Sequence, residues 1–590
     1  MEIYTTRKIK FEQELSELKK KYNILSSIRL FLGLVIFISG YYFLKTQDSL
    51  FLITFFSLIV VFIFLMKKHD KISTQKNLKE AIIAINEDEL NYLNSNKLPF
   101  KNGVEFNDFS HPYCYDLDIF GNHSLFQNLN RTETYIGKIT LANRLMKSLS
   151  TDEILKNQNA IKELSAKIDW RHDFSAIAKI GRDSKLVYQK IINWSSSKSN
   201  DFTLKDTILS FATPIVITLS FLAYLVTSND LFLKITGYLF AINLGILGSF
   251  YKRIKFEIAH TTEIDAIVKQ YGLLIQSIEK EDFVSDELVL LKEKLTSEHQ
   301  KASTQLKKLS ELFSRMDTIN NLVVSILFNG LFLFHAHVLK SLLHWKKNNA
   351  ASLKNWLEVI GEYEMLNSLA NFSYNNSDFS FPEINSNYEI SFTDLSHPLL
   401  NAKTRIGNDV TFQPQSFMIL TGSNMSGKST FLRSLGINMV LAGIGAPVCA
   451  SKANVHTMPV LVSMRLSDSL SDSESYFFAE IKRLKLIMDN LEGNRAFVLL
   501  DEILRGTNSD DKRNGTIEVV KKMISKNAIG AIATHDIEVC LTTNDFPNQL
   551  INTCFEVEIV NDELHFDYKL RNGICKNKSA TFLMKKMGVI

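Results

Sequence analysis

Four long apolar runs stand out from a chain that is otherwise rich in lysine and glutamate. They cover residues 28–44, 50–66, 208–226 and 231–251. Each is close to the about 20 residues that a helix needs to cross the hydrocarbon core of a bilayer. Because the members of each pair are separated only by 45–49 and 227–230, the pattern predicts two transmembrane helical hairpins.

Basic residues flank the outer ends of these runs, whereas the short links carry few positive charges. The flanking cations are Lys19, Lys20, Lys21, Lys67, Lys68, Lys71, Lys252, Arg253 and Lys255. The positive-inside rule then predicts a multi-pass membrane protein whose termini and long polar segments are cytoplasmic. The alternative is a set of buried helices in a large soluble α-protein, which runs of this length disfavour.

The remaining sequence before about residue 373 is predicted to be helical. Residues 152–168 are amphipathic, and 286–312 place apolar residues at near-helical spacing among charges, as in a lever, a coiled coil or a solvated amphipathic helix. A fifth apolar run, 322–338, contains Asn329, His335 and His337. These central polar residues predict a buried core helix instead of a span.

After about residue 373 short β-rich runs appear at 388–392, 417–420, 497–500 and 528–533, and helical stretches separate the last three. That alternation favours a mainly parallel sheet with crossover helices. The pair 554–560 and 564–570 predicts a hairpin that turns at Asn561 and Asp562. The predicted fold class is therefore α/β plus α. Its predicted divisions are a transmembrane hairpin (1–72), a helical core (73–205), a second hairpin (206–251), a lever with the return of the core (252–372), and an α/β domain (373–590).

Composition narrows the choice of class. The 590 residues include 45% hydrophobic and 22% charged residues, with only 24 Gly and 9 Pro, which disfavours a disordered chain or a turn-rich β array. A net charge of +4 is too small to mark a dedicated nucleic-acid binder. The five cysteines are dispersed without a CxxC pair, so neither a zinc site nor a disulfide framework is predicted.

The strongest chemical signal is a glycine-rich phosphate loop between a predicted strand and a predicted helix. Its predicted nucleotide-binding residues are Gly422, Ser423, Asn424, Met425, Ser426, Gly427, Lys428, Ser429 and Thr430. The glycines let backbone N–H groups converge on phosphate oxygens, and the helix N-terminus adds a positive dipole end. Lys428 is placed to reach the β- and γ-phosphates, and the Ser429 hydroxyl to ligate Mg²⁺.

Two further strands end in polar side chains. Asp501 and Glu502 follow the apolar run 497–500, at the end of a parallel strand where ligands bind. Asp501 is predicted to be a direct or second-sphere Mg²⁺ partner, and Glu502 to polarise the attacking water as a base or an orienting group. His535 follows the strand 528–533 and can donate a hydrogen bond as charge shifts on phosphate cleavage. The predicted catalytic residues are Glu502, His535 and Lys428, whereas Ser429 and Asp501 are the predicted metal ligands.

These motifs resemble the MutS family, the ABC-type ATPases of DNA mismatch repair. Residues 421–430 are similar to the family's TGPNMxGKST, 501–507 to its DEIGRGT, 533–535 to its ATH, and 475–480 to a drifted STFxxE. His397-Pro398, Asn408-Asp409 and segments from about residue 110 onward also match, except for the second apolar hairpin. The resemblance implies a P-loop ABC-type ATPase domain on a helical core, with ATP and Mg²⁺ as cofactors. It also implies a homodimer in which Ser475 contacts the partner subunit's nucleotide.

The departures from the family pattern leave two functions open. The wedge-bearing mismatch-reading domain and the connector domain have no counterpart, and the second hairpin occupies the position expected for the DNA clamp. One interpretation is a membrane-anchored repair ATPase that binds mismatched DNA, as the resemblance implies. The other is a membrane ATPase that acts on a lipid, protein or stress partner. Membrane lipid is a predicted partner in both.

Overall fold

The computed structural model describes residues 1–95, 98–181, 183–198, 201–258, 264–297, 300–413, 416–465, 476–560, 563–575, 584 and 590. Helices predominate in the N-terminal two thirds of these residues, and they also flank the C-terminal sheet. The helices are α1 (Glu2–Thr46), α2 (Ser49–Ser95), α3 (Leu125–Leu129), α4 (Tyr135–Leu145), α5 (Thr151–Ala166), α6 (Ile168–Ile180), α7 (Lys185–Ser196), α8 (Leu204–Thr227), α9 (Asp230–Ile258), α10 (Ile264–Lys280), α11 (Asp286–Glu293), α12 (Ala302–Asp317), α13 (Leu322–Phe332), α14 (Phe334–Asn375), α15 (Lys428–Gly443), α16 (Tyr476–Asn490), α17 (Ser509–Ser525) and α18 (Ile537–Asp545).

The four apolar runs lie within α1, α2, α8 and α9, and these helices are long and apolar enough to cross a membrane. Side-chain caps explain where one of them begins: Thr203 and Asp206 form a capping box at the start of α8. Residues 204–258 form only the two helices of this hairpin, without a separate clamp. Membrane crossing and the cytoplasmic location of the termini stay predictions, as do the domain boundaries. The helix α2 runs through the boundary at residue 72.

The polar ends of the first hairpin pack on the helical core through a buried carboxylate. Glu89, near the end of α2, is 2% exposed. Its carboxylate accepts hydrogen bonds from the Arg131 guanidinium and from the side-chain amides of Asn371 (2.9 Å) and Asn375 (2.9 Å), both on α14. The Tyr4 hydroxyl of α1 donates to Asn375 Oδ1 at 2.7 Å. Both helices of the hairpin are thereby joined to the end of α14.

A second buried carboxylate joins α14 to the start of α4. Glu364 accepts hydrogen bonds from the backbone N–H of Glu133 (2.9 Å) and of Thr134 (3.2 Å), and from the Thr134 hydroxyl. It therefore satisfies donors at a helix N-terminus that would otherwise be unpaired in the core. Burial raises the pKa of Glu364 to about 7.

The prediction for the fifth apolar run is only partly correct. It forms two helices, α13 and the start of α14, that meet at an angle of 86°. The apolar side chains of α13 are largely exposed, whereas Asn329 and Gly330 are buried. Asn329 and His335, two of the polar residues that suggested a core helix, are buried, and so are the apolar residues Leu333, Ala336 and Val338. The segment 286–312 is also not one helix, because a two-stranded ribbon separates α11 from α12.

The strands are β1 (Thr296–Ser297), β2 (Gln300–Lys301), β3 (Glu383–Ile384), β4 (Ile390–Leu395), β5 (Asn408–Thr411), β6 (Phe417–Gly422), β7 (Lys452–Val455), β8 (Val460–Ser463), β9 (Phe497–Asp501), β10 (Ile529–Ala533), β11 (Leu550–Phe555), β12 (Glu558–Val560), β13 (Glu563–His565) and β14 (Leu570–Asn572). The main sheet has the order β14-β11-β6-β10-β9-β8, in which only β14 is antiparallel to its neighbour. The strands β3, β7, β4 and β5 form a separate sheet. The parallel core with crossover helices matches the pattern read from the sequence.

The predicted hairpin 554–560 with 564–570 is only partly correct. Glu558–Val560 does pair with Glu563–His565, but Cys554 belongs to β11, which runs parallel to β6 in the main sheet. The predicted turn at Asn561 and Asp562 lies outside the described residues. The C-terminal segment thus returns to the main sheet and brings Tyr568 next to the phosphate loop.

Candidate functional site

The site forms where three neighbouring parallel strands, β6, β10 and β9, end on the same edge of the main sheet. The phosphate loop follows β6 and leads into α15. Gly427 caps α15 at a φ of 99°, a left-handed conformation that favours glycine, and a Cβ there would lie 3.0 Å from the Tyr568 ring. The loop and the start of α15 therefore supply a curled backbone and a helix N-terminus at one place.

Lys428 lies in the first turn of α15 and is 6% exposed. Its Nζ donates to the carbonyl oxygens of Gly422 and Ser423, each at 2.9 Å, and burial lowers its pKa. The nearby carboxylates of Glu502 and Asp501 oppose that shift and favour the charged ammonium. The Lys428 ammonium is thus held over the phosphate loop.

Ser429, in the first turn of α15, lies next to Asp501 at the end of β9. The Ser429 hydroxyl donates to Asp501 Oδ2 at 2.5 Å. The other carboxylate oxygen, Asp501 Oδ1, is buried and has no hydrogen-bond partner among the described residues. A hydroxyl beside a carboxylate with one unpaired oxygen fits the all-oxygen coordination that Mg²⁺ prefers. These two residues could hold the ion.

Glu502 is held next to His535, at the end of the neighbouring strand. Glu502 Oε1 lies 2.6 Å from His535 Nε2, and Glu502 Oε2 lies 3.5 Å from Arg505 Nε. The hydrogen bond from His535 and the nearby charges lower the pKa of Glu502 to about 2. Glu502 is therefore a carboxylate at neutral pH, and it can accept a proton from a water molecule or orient one.

A cavity of about 580 Å³ opens beside the phosphate loop. It is lined by most of the predicted nucleotide-binding residues, from Asn424 to Thr430, and by Glu502. Its other side is formed by residues that the sequence did not single out, among them Arg405, Ile406, Phe555 and Tyr568. Asn408, part of a matched motif, donates to the Tyr568 carbonyl oxygen at 3.0 Å and so fixes this aromatic wall.

Glu480 was part of a matched segment, but its contribution was not foreseen. It is 3% exposed, and its carboxylate accepts from the backbone N–H of Leu504 (2.7 Å) and Arg505 (3.1 Å). It thus fixes the turn that follows Glu502. Ser475, predicted to contact the partner's nucleotide, lies outside the described residues. The structure brings Lys428, Ser429, Asp501, Glu502 and His535 together, and their catalytic roles stay predictions.

A phosphate loop between a central parallel strand and a helix is typical of domains that bind nucleoside triphosphates. Residues 418–589 match the family described as MutS domain V. The chain is 29% identical over 228 residues to MutS protein homolog 4 of Homo sapiens, covering 36% of this chain and 24% of that protein. It is 30% identical over 235 residues to the DNA mismatch repair protein MutS of Finegoldia magna, covering 38% and 27%. The same-named protein of Methanococcoides burtonii is 32% identical over 197 residues, covering 32% and 22%.

The matches show that the C-terminal part of this chain is similar to MutS domain V and to the corresponding share of MutS proteins. The chain spans about a quarter of the length of the relatives it matches. The matched share corresponds in size to the α/β domain that carries the phosphate loop, so the comparisons bear on the nucleotide site more than on the helical regions.

Proposed function

We propose that this protein is a membrane-anchored MutS-like ATPase that binds and hydrolyses Mg·ATP. The observation that carries the proposal is that polar residues following three adjacent parallel strands lie together. Lys428 and Ser429 follow β6, Asp501 and Glu502 lie at the end of β9, and His535 follows β10. The family match over residues 418–589 supports the same chemistry.

Each residue has a role that follows from its position. The loop N–H groups and Lys428 bind the β- and γ-phosphates, and the nucleobase lies in the cavity against Tyr568 and Ile406. Ser429 and Asp501 hold Mg²⁺, which when bound neutralises charge that develops on the phosphate oxygens. Glu502 positions the attacking water, and His535 keeps the Glu502 carboxylate in place.

The ATPase test compares two site variants with a surface control in detergent-solubilised full-length protein. We expect Lys428→Ala to abolish nucleotide turnover, because the loop loses its cation. We expect Glu502→Gln to retain ATP binding and to slow hydrolysis by about 10²-fold or more. Glu492→Gln changes an exposed carboxylate that pairs with Lys526 at the surface, and it should behave as wild type. Wild-type turnover in Lys428→Ala would exclude this site.

The dimer and the membrane are separate parts of the proposal. Two ATPase domains pair head to tail so that ATP lies between one subunit's phosphate loop and the other's segment around Ser475. Crosslinking of Glu502→Gln in ATP tests the dimer.

The hairpins α1–α2 and α8–α9 cross the bilayer, with both termini and the ATPase domain in the cytoplasm. Protease accessibility of sealed vesicles tests the orientation, since cytoplasmic segments should be cut only from that side.

The proposal that this chain binds DNA and acts in mismatch repair rests on its relatives. The matched proteins of Finegoldia magna and Methanococcoides burtonii are both named DNA mismatch repair protein MutS. We propose the same substrate class for this chain. Titration of matched and mismatched duplexes over a range of salt concentrations is the test, because phosphate contacts make DNA affinity fall steeply with salt. Tighter binding of the mismatch supports the proposal. Absence of DNA binding at low salt, with ATPase activity that responds to lipid or a protein partner, supports the alternative membrane function.

A further inference from the structure

The helix α13 has the distribution of polar and apolar residues expected of a helix surrounded by lipid. Its exposed side chains are apolar: Leu322 (73%), Val323 (65%), Ile326 (40%), Leu327 (49%), Phe328 (48%) and Phe332 (48%). Its buried residues are Asn329 and Gly330. No Asp, Glu, Lys or Arg occurs between Asp317 and Lys340. In water this arrangement would leave an unusually apolar surface exposed, whereas in lipid it is the favoured one.

The buried side of α13 packs directly on the second hairpin. Gly330 lies so close to the Phe240 ring on α9 that a Cβ would be 2.2 Å from it. Asn243, also on α9, donates to the Gly330 carbonyl oxygen at 3.0 Å. Phe240 and Asn243 are both inside the apolar run 231–251. The end of α13 therefore lies at the depth of the hairpin's apolar section, and its exposed surface continues that of the hairpin.

The direction of α13 follows from the start of α14. On α14 the His337 ring contacts Phe211 of α8, and three residues later Lys340 lies over Phe211 and Phe202. The first turns of α14 thus run along the hairpin toward the end at which α8 begins. Because α13 meets α14 at 86°, α13 runs across the hairpin axis.

We propose that α13 is a fifth membrane-embedded helix that lies in the plane of the bilayer and contacts lipid acyl chains. Its end packs on Phe240, near the middle of the apolar run 231–251, and the first turns of α14 lead from there toward the start of α8. This inference rests on the proposed membrane insertion of the α8–α9 hairpin.

Tryptophan quenching in reconstituted vesicles tests both depth and direction. Val323→Trp and Phe332→Trp place a probe at each end of α13, in vesicles with bromines at shallow or deep acyl positions. The four native tryptophans supply a background that is the same in every variant. We expect loss of emission in both variants, with the same dependence on bromine depth. A helix that crossed the leaflet would separate the probes by about 14 Å in depth, and unequal depth would overturn the in-plane direction.

Two matched variants separate this inference from the proposal on which it rests. Leu219→Trp lies on the exposed apolar face of α8 and should also be quenched by bromolipid, whereas Leu290→Trp on α11 is comparably exposed and should respond only to aqueous acrylamide. Quenching of Leu219→Trp without quenching of the α13 probes overturns the inference and leaves the hairpin in place. If the Leu219 probe is not quenched, both fail. Shielding of the α13 probes from bromolipid and acrylamide alike would indicate a protein contact and would also overturn the inference.

Discussion

Replacing Glu89 by alanine tests how the first hairpin is attached to the helical core. The substitution removes the acceptor shared by Arg131, Asn371 and Asn375, and leaves a guanidinium with 11% side-chain exposure without its carboxylate. Breaking a buried ion pair on one side costs about 3–5 kcal/mol. If the cost falls on the contact between α2 and α14, local opening of this contact becomes roughly 10² to 10⁴ times more frequent, since about 1.4 kcal/mol corresponds to a factor of ten.

Hydrogen exchange measured by mass spectrometry reports this opening directly. We expect the amides at the polar end of α2, residues 82–94, to exchange faster in Glu89→Ala by that factor, while β6 and β10 in the α/β domain keep their protection. Glu87→Gln is the matched control, because Glu87 pairs with Lys8 and its side chain is 52% exposed. A surface pair contributes about 0–1 kcal/mol, so little change is expected there. Equal exchange in Glu89→Ala and Glu87→Gln would refute the reasoning.

Two further predictions concern the core. Burial raises the pKa of Glu364 from 4.5 to about 7, so the folded state favours the protonated carboxyl. The contribution of this carboxyl to folding stability is complete below pH 4.5 and is lost as the pH rises toward 7. Unfolding free energy should fall by about 3 kcal/mol over that window in wild type, and Glu364→Gln should remove this slope in pH-dependent denaturation; an unchanged slope would contradict the assignment. Gly530→Ala should prevent stable folding and nucleotide binding, because the added Cβ would lie 1.9 Å from the Val498 carbonyl oxygen. In the control variant Gly272→Ala the added Cβ makes only ordinary contacts, so this variant should fold normally. Normal thermal melting of Gly530→Ala would exclude this close approach.

The sequence predicted that the polar residues of the candidate site would lie together, because the pattern that places them is encoded in contiguous residues. A glycine beside Lys428 and Ser429 after an apolar strand is a local pattern, and parallel strands bring Asp501 and His535 to the same edge. The strands predicted at 497–500 and 528–533 correspond closely to Phe497–Asp501 and Ile529–Ala533. The aromatic wall at Tyr568 could not be predicted, because its position depends on the return of β14 to the sheet.

The helical region was less predictable for physical reasons. Glu89 and Arg131 look like ordinary surface charges until folding brings together groups as far apart in the chain as Glu89 and Asn375. For α13, hydropathy gave the amount of apolar surface but not its direction. The polar Asn329 pairs with His335 at the bend between α13 and α14, a contact that the sequence pattern does not contain. Local patterns define the strand ends, whereas long-range packing decides which face of a helix is covered.

The uninterrupted length of α14 has a mechanical consequence. Its 42 residues extend from the contacts of His337 with α8 to the hydrogen bonds of Asn375 with the first hairpin, just before the α/β domain. At 1.5 Å per residue the helix is about 63 Å long. A tilt of about 5° about its C-terminal end would move the other end sideways by roughly 5 Å, by simple geometry on that length. In the proposed membrane-anchored ATPase, a small rearrangement at the nucleotide site would thus be magnified into a displacement as large as a side chain at the opposite end of α14.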